Sequence, residues 1–170
     1  MSRAVFDSTF LLLVTDGTAA APEPPAGATD SARDRLTYLL ETLDETRVNV
    51  VVPAPVLTEL LASARSDPTV TLKTLDGLAR IRIEAFGQRA AIECAEMLRS
   101  TGRGEGPKAK VKFDHMIVAI AKVVGAAELY SDDRDVRALC AREGLRCLGV
   151  WDLPARPVEP QRSLPFAGDE

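Results

Sequence analysis

The sequence predicts an α/β fold, a three-layer α/β/α open parallel sheet, and three observations carry that prediction. Short β-branched or apolar runs recur along the chain, with "VNVVV" the plainest. Stretches with apolar residues three and four apart separate them, as in "RLTYLLETL". The run "VNVVV" is apolar almost throughout, as expected for a parallel strand covered on both faces.

Taken in order, residues 4–6 form a brief strand ending at Asp7, and "STFLLLV" continues as a buried turn or short helix. Residues 17–30, rich in Ala, Pro and Gly, read as a flexible loop inside the domain. The spacing of Leu36, Leu39, Leu40 and Leu43 predicts a helix over 31–45, with Ser31 or Asp30 placed to cap it. Residues 48–52 form a second strand. A helix follows with Pro55 suited to its first position and Leu57, Leu60, Leu61 and Ala64 as its apolar stripe. Residues 68–77 allow a further helix, and alternating Ile81 and Ile83 suggest a third strand. "GQRAAIECAEMLRSTG" is a helix stopped by Gly102, and "RGEGPKAKVK" reads as a polar loop. "FDHMIVAIAKVVGA" is apolar nearly all the way round, hence a buried helix. A strand "AELY", a helix over 135–142 and a strand "RCLGV" complete a domain spanning residues 1–151. Residues 152–170 contain four prolines and no periodicity, which predicts a loose tail.

A chain of 170 residues, 46% of them hydrophobic, suits one domain with a real core. With a net charge of −4 it has no global basic field to draw nucleic acid, so a polyanion must be held locally. Cys94, Cys140 and Cys147 are odd in number and form no CxxC, which predicts buried thiols in a reducing cytoplasm. No stretch reaches the roughly 18 apolar residues of a membrane span, so no membrane partner is expected. One Trp, two Tyr and five Phe offer little for a base-stacking platform.

The acidic residues carry the functional signal. In a parallel sheet, helices start where strands end, and ligands collect at that carboxyl edge. Asp7 closes the first strand, and Glu59 lies in the opening turns of the helix after the second. Asp114 is placed at the start of the buried helix, and Asp133 follows "AELY". Any one of them alone is a helix cap, a turn former or a solvated residue. Capping predicts no common address for all four, however. Beside Asp133 stand Asp132 and Asp135, and adjacent like charges need compensation. Mg2+ or Mn2+, which prefer carboxylate oxygens, would supply it and would bring an activated water to a phosphate.

At these residues the chain resembles the PIN-domain nucleases. "AVFDSTFLL" is similar to their first acidic motif, "PAPVLTELL" to the second, "KFDHMIVAIA" to the third and "LYSDDRDV" to the fourth. The resemblance covers about residues 4–150 with order and spacing intact. It implies a Mg2+- or Mn2+-dependent endoribonuclease, often the toxin of a VapC-type toxin–antitoxin pair. By that resemblance Asp7, Glu59, Asp114 and Asp133 are the catalytic and metal-holding residues. Ser131 stands for the family's usual Thr, Thr9 where Asn is common and Val136 where an aromatic is common, while Asp132 and Asp135 are accessory acids. Arg103, Lys108, Lys110, Lys112 and Arg134, with Arg137, are the local cations for RNA. His115 reads as packed or substrate-facing rather than a ligand. A small antitoxin partner and a homodimer follow from the resemblance, while the cytoplasmic location is expected from the cysteines and the lack of a membrane span. The rival readings are a magnesium-dependent phosphatase of the haloacid dehalogenase type, weakened because Thr9 stands where its second acid is needed, and a non-catalytic binding module.

Overall fold

The computed structural model describes residues 2–63, 68–78, 80–101 and 108–157. They form β1 (Arg3–Phe6), α1 (Ser8–Thr15), α2 (Ala32–Glu45), β2 (Asn49–Pro53), α3 (Ala54–Ser63), α4 (Pro68–Asp76) and β3 (Ile81–Glu84). Then come α5 (Gln88–Thr101), α6 (Lys108–Val123), β4 (Glu128–Tyr130), α7 (Arg134–Arg142), β5 (Cys147–Leu148) and a 3-10 turn over Val150–Asp152. The five strands are parallel in the order β3-β2-β1-β4-β5.

That order has one physical consequence for function. The chain builds outward from β1 to β2 and β3, then returns to β1's other side with β4 and β5. The crevice between the carboxyl ends of β1 and β4 is therefore the topological switch point, where open α/β sheets bind ligands. Asp7 follows β1 and Ser131 follows β4, and the Asp7 amide donates to the Tyr130 carbonyl at 3.1 Å.

Alternation along the strands divides the core into two layers. Val5, Val51 and Leu129 meet Val56 and Leu60 of α3, Ile117, Val118 and Ile120 of α6, and Leu139 of α7. Ala4, Phe6, Val50 and Tyr130 meet Phe10 of α1, Leu36, Leu39 and Leu43 of α2, and Val150 and Leu153. Phe6, Phe10 and Tyr130 pack ring against ring at 5.4 to 5.8 Å beneath the switch point. The α2 helix begins with a capping box, Ser31 accepting from the Asp34 amide while Asp34 reaches back to the Ser31 amide. Asp30 does not cap; it pairs with Arg35 at 2.7 Å.

Three expectations change. The polar loop over 103–112 is shorter, because α6 starts at Lys108 and Asp114 stands in its second turn rather than at its start. Ala64, Gly102 and Arg103 lie outside the described residues. The segment read as a loose tail is docked at its beginning: Arg35 Nη1 donates to the Trp151 and Leu153 carbonyls at 2.9 and 2.8 Å, and its guanidinium covers the Trp151 ring at 5.0 Å. Arg156 pairs with Glu41 and lies over Tyr38. Likewise the segment after α1 is tied back, with Arg33 donating to the carbonyls of Leu13, Asp16 and Ala19.

Candidate active site

The site begins with Asp7, buried at the end of β1 and N-cap of α1. Its Oδ1 accepts from the Phe10 amide at 2.9 Å and the Thr9 hydroxyl at 2.7 Å, and its Oδ2 accepts from Ser131 Oγ. Burial raises its pKa above the ordinary carboxylate value despite those three donors, and Asp132 adds to the rise. Ser131, wholly buried, also accepts from the Asp133 amide at 3.0 Å. One hydroxyl therefore couples Asp7 to the start of α7 across the β1/β4 crevice.

Asp133 is the N-cap of α7, its Oδ1 accepting from the Asp135 and Val136 amides at 2.7 and 3.3 Å. Burial works against its charge, but those amides and Lys110 outweigh it and hold the carboxyl below the usual range. Asp114, one turn beyond Lys110 on α6, reaches the same place. Desolvation, then Asp133, Asp135 and Glu59, push Asp114 up to about 6, with Lys110 opposing. The Lys110 ammonium stands among three carboxylates, 2.6 Å from Asp135, 3.1 Å from Asp133 and 3.7 Å from Asp114.

Glu59 is exposed on α3 and accepts from Ser8 Oγ at the start of α1. Ser8, Thr9, Leu12, Glu59, Leu60 and Ala62 line a depression of about 440 Å3 beside the crevice. Asp132 turns the other way. Its Oδ1 accepts from the Val150 amide at 2.9 Å, while its Oδ2 is buried without a partner and burial raises its pKa. A Cβ at Gly149 would sit 2.6 Å from Asp132 Oδ1 and 2.3 Å from Arg137 Nη1, so a larger residue there would have to move those two side chains.

The sequence-predicted residues therefore divide. Asp114, Asp133 and Asp135 form one group around Lys110; Asp7, Thr9 and Ser131 form a second, joined to the first through the Asp133 amide; Glu59 borders both from α3. Asp132 belongs to the docking of the 3-10 turn and not to the acidic group. The adjacent aspartates are compensated by Lys110, by helix amides and by the divergence of Asp132. Among the described residues no three Asp, Glu, His or Cys side chains are drawn together closely enough to hold a metal ion. The donor set nevertheless fits one chemically, being hard carboxylate oxygens on a shared edge.

The cations also sort. Lys112 is exposed, two residues or 200° around α6 from Lys110, and so points away from Asp114. Arg134 is exposed at the first position of α7. Arg137 is engaged with Asp152 at 2.8 Å and is withdrawn from the rim. Arg103 and the Lys108 side chain lie outside the described residues. His115 is buried with Nδ1 2.6 Å from the Val111 carbonyl, a packed residue. Sequence reasoning missed Ser8 and the central place of Lys110; the signal for the latter was the i,i+4 spacing of Lys110 and Asp114.

With this geometry in place, comparison with known proteins gives the family. Residues 28–141 match the PIN domain family, and the chain belongs to it. Glu59, Asp114 and Asp133 fall within the matched span, whereas Asp7 precedes it and is brought in by the sheet. Among solved structures the chain is similar to VapBC2 of Rickettsia felis bound to a promoter DNA fragment, with a TM-score of 0.59 and 16% identity over 86% of this chain and 98% of that one. It is similar to DNA-bound VapBC of Salmonella typhimurium, TM-score 0.59 and 18% identity over 88% and 99% of the two chains. A third is the sarcin-ricin-loop-cleaving toxin VapC20 of Mycobacterium tuberculosis, TM-score 0.51 and 15% identity over 79% and 93%. At these identities the likeness is one of fold. A comparison with curated proteins finds no match. Family membership removes the haloacid dehalogenase reading, and Thr9, which that chemistry would need as an acid, is a hydroxyl bonded to Asp7.

Proposed function

We propose that the chain is a metal-dependent endoribonuclease hydrolysing RNA phosphodiester bonds, the toxin of a VapBC-type pair. The observation that carries this reading is Ser131 Oγ, which bonds both Asp7 and the Asp133 amide and so joins the first and last acidic motifs at the switch point. PIN domains use divalent ions, and here Asp7, Asp114 and Asp133 would hold Mg2+ or Mn2+, with Glu59 acting directly or through water. When bound, such an ion polarises the phosphate and lowers the pKa of water. The chain's own residues do the rest. Thr9, Ser131 and the Phe10 amide fix the Asp7 carboxylate, so that it needs no rearrangement when substrate arrives. Asp114, desolvated and facing Asp133, Asp135 and Glu59, is a carboxyl whose charge a bound cation would stabilise. Lys110 and Arg134, with Lys112 farther round, are the described cations nearest the path of an RNA backbone.

The named relatives include VapBC complexes and a sarcin-ricin-loop-cleaving toxin, which supports a small antitoxin partner. A homodimer and a cytoplasmic location belong to the same reading. Incubating the chain with single-stranded RNA and Mn2+ should give cleavage that EDTA abolishes and that Asp133→Asn reduces on the order of a hundredfold or more. Cleavage that persists equally in Asp133→Asn points to a contaminating nuclease. A well-folded chain that binds RNA without cutting it supports the binding-module alternative. Copurification of a short protein encoded beside the gene supports the toxin assignment, and a monomer by light scattering removes the dimer.

A further inference from the structure

Three carboxylates from two elements surround one ammonium. Lys110 Nζ lies 2.6 Å from Asp135 Oδ2, 3.1 and 3.4 Å from the two Asp133 oxygens and 3.7 Å from Asp114 Oδ2. Among the described residues no other ion pair reaches these three acids. An ammonium carries three protons and no acceptor, so it can serve three carboxylates at once. The separations are those of ammonium–carboxylate contacts. A magnesium ion would need its oxygens at about 2.0–2.1 Å, a contraction these acids have not made.

We infer that Lys110 is the resident counter-cation of the acidic rim: it occupies the place a divalent ion must enter, so metal binding displaces it, and its presence weakens the site's metal affinity. This deepens the metal-dependent nuclease reading and rests on it. An ammonium and a divalent ion cannot share a pocket of this size without strong repulsion. Lys110 is able to leave, because its side chain is 43% exposed and its flexible four-carbon stem can carry the charge outward. The rim stays assembled without metal, because Lys110 relieves repulsion among Asp114, Asp133 and Asp135.

The test is Mn2+ binding to the full chain by isothermal titration, which reads the metal without reading activity. Wild type, Lys110→Met, Lys110→Arg and Asp114→Asn are compared after circular dichroism has shown each to be folded. Lys110→Met should bind Mn2+ on the order of tenfold tighter than wild type, or better, because a positive charge has left the pocket. Lys110→Arg keeps the charge and should stay near the wild-type affinity. Should Lys110→Met fold poorly, Lys110→Gln replaces it with the same expectation. Wild-type binding that Asp114→Asn abolishes, with Lys110→Met binding no tighter than wild type, overturns the counter-cation role while leaving the metal site standing. Wild type that binds no Mn2+, or Asp114→Asn that binds as well as wild type, removes the metal-site reading and this inference with it.

Discussion

The Asp7 carboxylate is buried, caps α1 and receives two hydroxyls, yet among the described residues no cation lies against it. Such a group is positioned for binding at the expense of stability. Its pKa is raised by burial, so the folded state holds the proton more tightly than the unfolded chain. The associated stability is fully present below the unfolded value of 3.8 and is lost as pH rises through the folded value. Asp7→Asn should therefore abolish cleavage without lowering the melting temperature. In EDTA its advantage over wild type should grow as pH rises above the unfolded value of 3.8, and thermal melts over a pH series check it. Asp132 gives the contrast at the same scale. Its charge faces the Val150 amide and Arg137, so Asp132→Asn should retain Mn2+-dependent cleavage while Asp133→Asn, one residue on, loses it. The sequence could not separate these neighbours, because which way each carboxylate turns depends on Gly149 and Val150, residues from another strand's end.

Elements were legible where local pattern decides them. The β-branched run of β2 and the leucine spacing and Ser31 cap of α2 are local signals, and both elements form where those signals place them. The start of α6 was not legible, since the glycines before Lys108 suggested a loop that the structure ends earlier, and this hid Lys110 on the face of Asp114. The docking of the chain's end was hidden for a different reason. Prolines describe only local backbone, whereas Arg35, more than a hundred residues away, supplies the hydrogen bonds that hold Trp151 and Leu153. Arg35→Ala should lower the melting temperature by several degrees and open the segment around residues 152–157 to protease, read by limited proteolysis. At the other end of α2, Arg47 holds a φ of 57°, a left-handed conformation that costs a side chain about 1 kcal/mol. Arg47→Gly should recover up to about that amount, a rise of roughly 2–4 °C in the melting temperature, with cleavage unchanged.

For the whole molecule the decisive feature is strand order. The alternation of strands and helices foretold a parallel sheet, but not which strands are neighbours. The order β3-β2-β1-β4-β5 sets the switch point between β1 and β4, so Asp7 and Ser131 meet although they are 124 residues apart. The expectation of an acidic rim rested on every candidate acid following a strand or sitting early in a helix, and the carboxyl-edge rule needs only that. The rim's division into two groups joined by Ser131 depends on packing that spacing does not encode. The account is tested most directly by single-turnover cleavage of a single-stranded RNA by the full chain with Mn2+, comparing wild type with Asp7→Asn. Wild type should cut and Asp7→Asn, folded at least as stably, should be slower on the order of a hundredfold or more. Equal cleavage rates in the two proteins would contradict it.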